Sequence, residues 1–363
     1  MCRICEGDYD ELTTVLDCRE CKELKEIPVL PNLTKLYCRG CTNLKKIPVL
    51  PKLTTLNCHE CTDLEKISAL PNLAMLNCYD CTSLKKIPML PNLTTLYCSN
   101  CTELKKIPVL PSLIILDCRS CPSLTKLPVF PNLTKLDCWA CSRLEEIPIL
   151  PNLTTLDCGC TLVKEIPMLP NLTELNCYGC NHLIKIPELP NLTLLDCSTS
   201  TRLKKLPMLP NLTRLDCWNV RIKEIPEFPK LISLYCGDNS LTKIPDLPNL
   251  TVLYCDGCFN LRKIPLNLNK LSCNDCPGII EIPSNLEELE CHNCPWLREY
   301  NPDFDHNINL LKRLQRFTRN NLTYWRFGRW IKTEGFAKWF YSPNQWGGRA
   351  GKMSMKRVLE ELK

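Results

Sequence analysis

The sequence predicts a repeat β-solenoid, in which short parallel strands stack along one axis and extended, polyproline-like segments form the outer side. Three observations predict this fold. The segment LPNLTKLYCRGCTNLKKIPV at residues 30–49 returns about every twenty residues along most of the 363-residue chain. Leu and Cys recur at fixed positions in each copy, and the phrase I-P-x-L-P closes it. A fixed period of this length indicates units that bury their core only by stacking on their neighbours.

Aligned on its first leucine, the repeat reads L-x-x-L-x-C-x-x-C-x-x-L-x-x-I-P-x-L-P-x, which is typical of leucine-rich repeats. The x-L-x-C part predicts a short strand whose Leu and Cys point into the core. The I-P-x-L-P part contains too much proline for a helix and is predicted to be extended. We therefore predict a curved ribbon with its parallel strands on the concave face. Its parts are an N-terminal cap at 1–12, a solenoid of about 15 repeats of 18–20 residues at 13–299, and a C-terminal module at 300–363.

The composition favours an intracellular protein that is not secreted. The 29 cysteines would indicate a disulfide framework in a short secreted chain. The opening MCRICEGDYDELTTVLDC, however, lacks the apolar run of a signal peptide, and no stretch approaches the ~18 apolar residues of a membrane span. A reducing compartment would keep the thiols free. The recurring N-L-T triplets are then expected to be part of the repeat rather than glycosylation sites.

The paired cysteines of the repeat could be metal or redox sites, or core residues. The C-x-x-C spacing alone is compatible with zinc or redox chemistry. The first Cys, however, takes an aliphatic core position. The second takes a turn position at which four copies carry another residue, namely Thr161, Ser200, Val220 and Asn239. We therefore expect the cysteines of the array to be structural and the chain to bind no cofactor.

The N-terminal cysteines leave two interpretations open. Their spacing, C-x2-C-x12-C-x2-C, is close to that of a four-cysteine zinc site. The alternative is that the later two are ordinary repeat cysteines and that the first residues cap the end of the stack. The four residues are Cys2, Cys5, Cys18 and Cys21.

The position between the second Leu and the first Cys points outward and forms a row along the concave face. Five aspartates of this row, which we call the acidic stripe, are Asp117, Asp137, Asp157, Asp196 and Asp216. With strands about 4.8 Å apart, crowding of like charges should raise some of their pKa values unless a cation or a basic partner relieves it. A calcium site is disfavoured, because no Gly-bearing Asp loop accompanies the stripe.

Exposed aromatic residues beside a polar row are typical anchors of protein interfaces. Three lie just past the first Cys of their repeats, and we call them the aromatic anchors: Trp139, Tyr178 and Trp218. The stripe and the anchors together predict a protein partner of basic or mixed charge. The alternative is that Asp is merely a soluble choice at a position that avoids apolar residues.

The remaining charged segments leave further alternatives. Lysine pairs on the outer edge are interrupted by glutamates such as Glu145 and Glu146, which favours a solvated surface over a nucleic-acid interface. Residues 300–363 are basic, rich in Trp and predicted to be helical. This module could cap the last repeat, bind a partner or a membrane surface as a basic amphipathic element, or bind nucleic acid.

The sequence thus favours a non-catalytic scaffold that binds a protein on its concave face. The alternative is an adaptor that recruits a substrate and docks through its basic tail to a larger machine such as a ubiquitin ligase. An enzyme is disfavoured, because the four histidines are scattered without a nucleophile and no phosphate-binding Gly loop exists. Nothing in the sequence indicates an oligomeric state.

The unit LPNLTxLxCxxCxxLxxIP, the opening MCRICEGDY and the tail FAKWFYSPNQWGG resemble the leucine-rich-repeat proteins of giant DNA viruses. The resemblance covers essentially the whole chain. It implies a role in protein–protein interactions in the infected cell, in the host cytoplasm, without an assigned active site. The phrase IPxLPxxLxxL is also similar to bacterial effector repeats. The ubiquitin ligases among those effectors carry a large catalytic domain with a nucleophilic Cys, whereas no Cys follows Cys294 here.

Overall fold

The structure, a computed structural model, describes residues 2–279, 282–283, 286–292 and 294. Within these residues the chain is a parallel β-solenoid with almost no helix, as the repeat predicts. The predicted helical module at 300–363 lies outside the described residues.

One helical turn, α1, spans Arg3–Glu6 and precedes the first strand. Fifteen three-residue strands then form one parallel sheet whose order follows the chain. They are β1 Val15–Asp17, β2 Lys35–Tyr37, β4 Thr55–Asn57, β6 Met75–Asn77, β7 Thr95–Tyr97, β8 Ile115–Asp117, β9 Lys135–Asp137, β10 Thr155–Asp157, β11 Glu174–Asn176, β12 Leu194–Asp196, β13 Arg214–Asp216, β14 Ser233–Tyr235, β15 Val252–Tyr254, β16 Lys270–Ser272 and β17 Glu288–Glu290. Two shorter strands, β3 Lys46–Ile47 and β5 Lys66–Ile67, pair on the outer side.

The strands pair in the same register throughout the sheet. Leu36 of β2 pairs with Leu56 of β4, and the flanking residues pair with their equivalents in the same way. Pairs such as Asp117 with Asp137 continue this pattern along the sheet. Each side chain therefore lies beside the residue at the same repeat position in the next copy.

The fixed Leu, Cys and Ile positions form a continuous core. In one repeat the fully buried side chains are Leu33, Leu36, Cys38, Cys41, Leu44, Ile47 and Leu50. The leucine position within I-P-x-L-P also accepts Phe130 and Phe228, and both rings are fully buried. The same repeat positions thus form the core along the stack, although the size of their side chains varies.

The outer side differs in one respect from the purely extended segment predicted. Residues before the proline pair briefly with the next repeat, as in β3 and β5 and in single bridges such as Lys86 with Lys106. Proline has no N–H group and ends such pairing. Where Ser68 replaces the proline, its N–H donates to the Ile47 carbonyl at 3.0 Å and the pairing continues.

The second cysteine of each pair forms a hydrogen-bonded ladder along the stack. Its thiol donates to the carbonyl of the first cysteine in the preceding repeat, with Sγ–O distances of 2.9–3.2 Å. Burial raises the pKa of the Cys121 thiol, so this donor keeps its proton at neutral pH. The donors are Cys41, Cys61, Cys81, Cys101, Cys121, Cys141, Cys180, Cys258, Cys276 and Cys294.

The four replacements at this position confirm its structural role. Ser200 donates to the Cys177 carbonyl at 2.8 Å, and Asn239 donates to the Cys217 carbonyl at 2.7 Å. Thr161 turns instead to the Cys158 carbonyl of its own repeat. Val220 has no side-chain donor, but its N–H donates to the side chain of Asn239.

Two further ladders explain the recurring N-L-T triplet. Its Asn side chain donates to a carbonyl of the preceding repeat, as Asn152 does to Pro131 at 2.9 Å. Its Thr hydroxyl donates in the same direction, as Thr154 does to Thr134 at 3.0 Å. The Leu between them is buried. All three residues of the triplet therefore have a part in the stacking of repeats.

A residue in the left-handed conformation lies two positions after the first cysteine in each repeat from Glu20 to Asp275. At this position φ lies near +60° for Gly40 and Gly179, but also for Ala140, Cys160 and Asp238. The N–H of this residue donates to the next repeat, as Ala140 does to the Gly159 carbonyl at 2.8 Å. Residues other than glycine adopt this conformation at a cost in free energy.

We expect Cys121→Ala to lower the free energy of unfolding by about 1–3 kcal/mol, because it removes a buried donor and leaves a small cavity. Cys121→Ser should cost less than half as much, since the hydroxyl can still donate to the Cys98 carbonyl, as Ser200 does in its own repeat. Urea unfolding followed by circular dichroism measures both. Equal losses for the two variants would show that the ladder bond contributes nothing.

We expect Ala140→Gly to raise the free energy of unfolding by up to about 1 kcal/mol, because glycine adopts positive φ without a steric cost. Ala74→Gly is the matched control. Ala74 lies just before β6 without a positive φ, so the added chain entropy should destabilise the protein by about 0.5–1 kcal/mol. The same unfolding measurement compares the two variants, and a loss of stability in both would contradict the assignment of strain to residue 140.

Candidate protein-binding surface on the strand face

The strand face is the outward-facing side of the fifteen-stranded sheet, predicted from the sequence to be concave, and the acidic stripe lies along it. The carboxylates have a local structural role that the sequence did not reveal. Each of several Asp or Asn side chains at this position accepts a hydrogen bond from the N–H two residues later. Asp137 accepts from Trp139 at 3.2 Å, and Asp196 accepts from Ser198 at 2.9 Å. Asparagine makes the same contact, as Asn176 does with Tyr178 at 2.9 Å.

Side chains between the aspartates reduce their mutual repulsion. Arg119 binds Asp117 through two nitrogens at 3.0 and 2.8 Å, and its Nε lies 3.4 Å from Asp137. The amide of Asn176 donates to Asp157 at 3.0 Å. The hydroxyl of Ser198 donates to Asp216 at 2.5 Å. Residues that interrupt the acidic row thus separate or neutralise its charges.

Burial, more than crowding, perturbs the stripe. Burial raises the pKa of Asp137 to about 6, and the carboxylates of Asp157 and Asp117 add to the rise. Burial also raises the pKa of Asp157 and of Asp216. Raised pKa values were predicted from the sequence, but charge repulsion was expected to be their cause. The burial of these side chains cannot be read from the repeat pattern.

Two of the aromatic anchors lie on glycines of the following repeat. A Cβ on Gly159 would lie 2.7 Å from Cδ1 of Trp139, and one on Gly237 would lie 2.9 Å from Cδ1 of Trp218. The indole N–H of Trp218 also donates to Asp238 at 2.6 Å. The rings are held in place while Trp139 stays 39% exposed and Trp218 51% exposed.

Past Asp216 the stripe position itself is taken by two tyrosines. The rings of Tyr235 and Tyr254 stack with their centroids 4.9 Å apart, and the guanidinium of Arg214 lies 4.8 Å from the Tyr235 ring centroid. The third anchor, Tyr178, is 42% exposed. The structure thus places anchors and stripe on one face, with Tyr235 next to Asp216 in the strand register.

The outer side also carries an exposed apolar ridge, which was not predicted from the sequence. The residue between Pro and Leu of I-P-x-L-P is exposed and apolar in many repeats, and its signal was the repeated choice of Val, Met or Ile at a variable position. Its members are Val29, Val49, Met89, Val109, Val129, Ile149, Met168 and Met208.

The N-terminal cysteines divide into two groups. The sulfurs of Cys2, Cys5 and Cys21 lie within 4.8 Å of one another. Cys18 is instead a buried core residue whose carbonyl accepts the thiol of Cys41 at 2.9 Å. The structure therefore gathers three of the four cysteines that the spacing joined.

No helix among residues 2–279, 282–283, 286–292 and 294 is long and apolar enough to cross a membrane.

Comparison with known families recognises leucine-rich repeats in the chain. Residues 151–191 match the family described as leucine rich repeats (2 copies). A comparison with curated proteins gave no match.

Solved structures with a similar fold come from several bacteria. The functional domain of InlJ from Listeria monocytogenes, reported to include a cysteine ladder, shares 23% identity at a TM-score of 0.44, covering 78% of this chain and 64% of that one. YopM from Yersinia enterocolitica shares 22% identity at a TM-score of 0.39, covering 74% of this chain and 75% of that one. The leucine-rich-repeat protein LIC12759 from Leptospira interrogans shares 21% identity at a TM-score of 0.35, covering 72% and 90%. The chain spans less than two thirds of the InlJ structure.

Asp137→Asn should stabilise the protein at pH 7. The folded-state pKa of Asp137 is about 6, against an ordinary value of 3.8, so ionisation penalises the folded state as the pH rises from about 4 through 6. Asparagine keeps an acceptor for the Trp139 N–H and removes this penalty. After allowance for solvent screening we expect a gain of about 1 kcal/mol at pH 7 that disappears below pH 4, measured by urea unfolding across this range.

Asp17→Asn is the control, and we expect it to change the free energy of unfolding in the opposite direction. Arg19 lowers the pKa of Asp17, so the charged carboxylate favours the folded state above its unfolded pKa, and this stabilisation is lost as the pH falls. The variant should therefore be slightly less stable than the natural protein at pH 7. A gain from both substitutions would mean that general charge reduction, not the environment of Asp137, is responsible.

Proposed function

We propose that this protein is a non-catalytic scaffold that binds a protein partner on its strand face. The observation that carries the proposal is that the exposed indoles of Trp139 and Trp218 pack on glycines beside half-buried carboxylates. Large aromatic side chains dominate the binding energy of many interfaces. The recognised repeats support this proposal, since stacked repeats offer extended surfaces for binding.

The fixed position of the indoles favours recognition. Trp139 lies against Gly159, and Trp218 lies against Gly237 and bonds Asp238. A side chain that is already ordered loses less conformational entropy when a partner binds. The two indoles are therefore suited to anchor a partner although each is largely exposed.

The acidic stripe supports a partner that presents Lys or Arg. The pKa of Asp137 is raised to about 6 and that of Asp157 is also raised, so both carboxylates bear their charge at a cost. A cationic side chain placed between them would reduce this cost. Electrostatic complementarity of this kind gives specificity and faster association more than raw affinity.

The described histidines give no support to an enzyme. His59 contacts the amide oxygen of Asn57 rather than a nucleophile. Burial lowers its pKa, which keeps the ring neutral. The adaptor alternative depends on residues 300–363, which lie outside the described part of the chain, and no observation favours it.

The proposal is tested with the full chain as bait for a cell lysate, followed by direct titration of the captured protein. The triple variant D137N/D157N/D196N removes charge but retains acceptors for the turn bonds. Trp218→Ala removes one anchor, and we expect it to weaken binding at least about tenfold. The matched control, K105Q/K106Q, changes charge on the outer edge.

Loss of the partner in the triple variant and in Trp218→Ala, with normal binding by the control, supports the proposal. Circular dichroism confirms that each variant is folded. Unchanged affinity in both strand-face variants would refute it. Loss of the partner only on deletion of residues 301–363 would favour the adaptor instead.

A further inference from the structure

Three thiols meet where α1 packs against the first repeat. The sulfurs of Cys2 and Cys5 are 3.7 Å apart, and those of Cys5 and Cys21 are 3.5 Å apart. All three lie within 4.8 Å of one another. No other group of three or more metal-ligating side chains with this closeness occurs in the described part of the chain.

The local structure brings the three residues together by two routes. Cys2 and Cys5 lie three residues apart on one helical turn, which places them on the same side. The Glu6 N–H donates to the Cys2 carbonyl at 3.1 Å, and Gly7, with φ at +72°, ends the turn. Cys21 follows β1 and occupies the ladder position of the first repeat.

The ladder position has a different neighbour here than elsewhere. In the interior of the stack, the second cysteine donates to a carbonyl of the preceding repeat, as Cys61 does to Cys38. At Cys21 the helical turn of α1 takes the place of a preceding repeat and brings the thiol of Cys5 within 3.5 Å. The cysteine at this position thus contacts another thiol instead of a backbone carbonyl.

The cluster is accessible. Cys5 is exposed, while Cys2 and Cys21 are buried. Beside Cys2 and Cys21 lies a hollow of about 300 Å³, which is also lined by Glu6, Asp17, Cys18, Arg19 and Glu20. An ion can therefore enter from solvent, and the hollow has room for a further ligand.

The spacing of the sulfurs fits one class of ion. Zinc binds thiolates at about 2.3 Å in a tetrahedron, which places neighbouring sulfurs about 3.8 Å apart. The distances of 3.7 and 3.5 Å are close to this value, so only small movements are needed. Calcium and magnesium prefer oxygen ligands.

We propose that Cys2, Cys5 and Cys21 bind one zinc ion as thiolates, with a water molecule or a carboxylate of the hollow as fourth ligand. Cys18 takes no part, because its sulfur does not belong to the group of three that lies within 4.8 Å. The ion joins α1 to the first repeat and so stabilises the end of the sheet.

The test uses the full chain, prepared with a reducing agent and stripped of metal, and titrated with Zn²⁺ or Co²⁺ alone. Elemental analysis should show one zinc per chain, and cobalt should give thiolate charge-transfer absorption with the visible bands of tetrahedral coordination. Zinc should also raise the melting temperature. Exposed Cys5 allows Cys5→Ser without disturbance of the core.

We expect Cys5→Ser to weaken zinc binding by more than the ~10–100-fold that loss of an outer-shell partner costs, and to abolish the cobalt spectrum and the thermal shift. Cys160→Ser is the control, since it changes a partly exposed thiol elsewhere in the array and should bind zinc normally. Equal binding by both variants, absence of stoichiometric uptake, or a disulfide within the cluster that prevents uptake would each overturn the proposal.

Discussion

In-register stacking of nearly equal repeats is the constraint on which the rest of this structure depends. Because Leu36 pairs with Leu56 and the register continues along the sheet, a side chain lies about one strand spacing, ~4.8 Å, from its own equivalent. A side chain that donates a hydrogen bond to a carbonyl of the preceding repeat can then make the same bond in every repeat. The thiol, amide and hydroxyl ladders are three solutions of this kind. The thiol bonds are buried, where a polar group needs a partner, whereas the amide and hydroxyl bonds lie at or near the surface.

The same geometry penalises charge, since a carboxylate repeated in register meets another carboxylate. Asp is nevertheless useful here, because its oxygen binds the N–H of the following turn. Asn serves this bond equally well, so the turn alone does not explain why Asp137 and Asp157 carry charge in adjacent strands. Arg119, Asn176 and Ser198 reduce the cost. What remains is a pair of half-buried carboxylates, Asp137 and Asp157, whose pKa values are raised, and this pair is the reason for which we propose a cationic partner.

Much of this could be predicted from the sequence, because a repeat fixes which positions are equivalent. The strands, the buried Leu and Cys positions and the bonding role of the second cysteine all follow from a comparison of the copies. How deeply a side chain is buried at the surface does not follow from the repeat. The main cause of the raised pKa of Asp137 was therefore predicted wrongly. The packing of Trp139 and Trp218 on glycines was not predicted for another reason: Gly159 and Gly237 occupy the equivalent position one repeat later. That signal is visible only when positions are read across repeats rather than along the chain. The spacing also joined Cys18 to three cysteines whose sulfurs the structure brings together without it.

The irregular places in the array are therefore the informative ones. Where the period is kept, the first cysteine of a pair is a buried core residue, and burial raises the pKa of its thiol, as it does for Cys138. Where the stack meets a different segment, the identical residue has different neighbours. Cys21 occupies the same position as Cys121 but lies beside two further thiols, one of them exposed. A repeat position that serves stacking inside the array can thus bring three sulfurs together next to α1 without any change to the repeat itself.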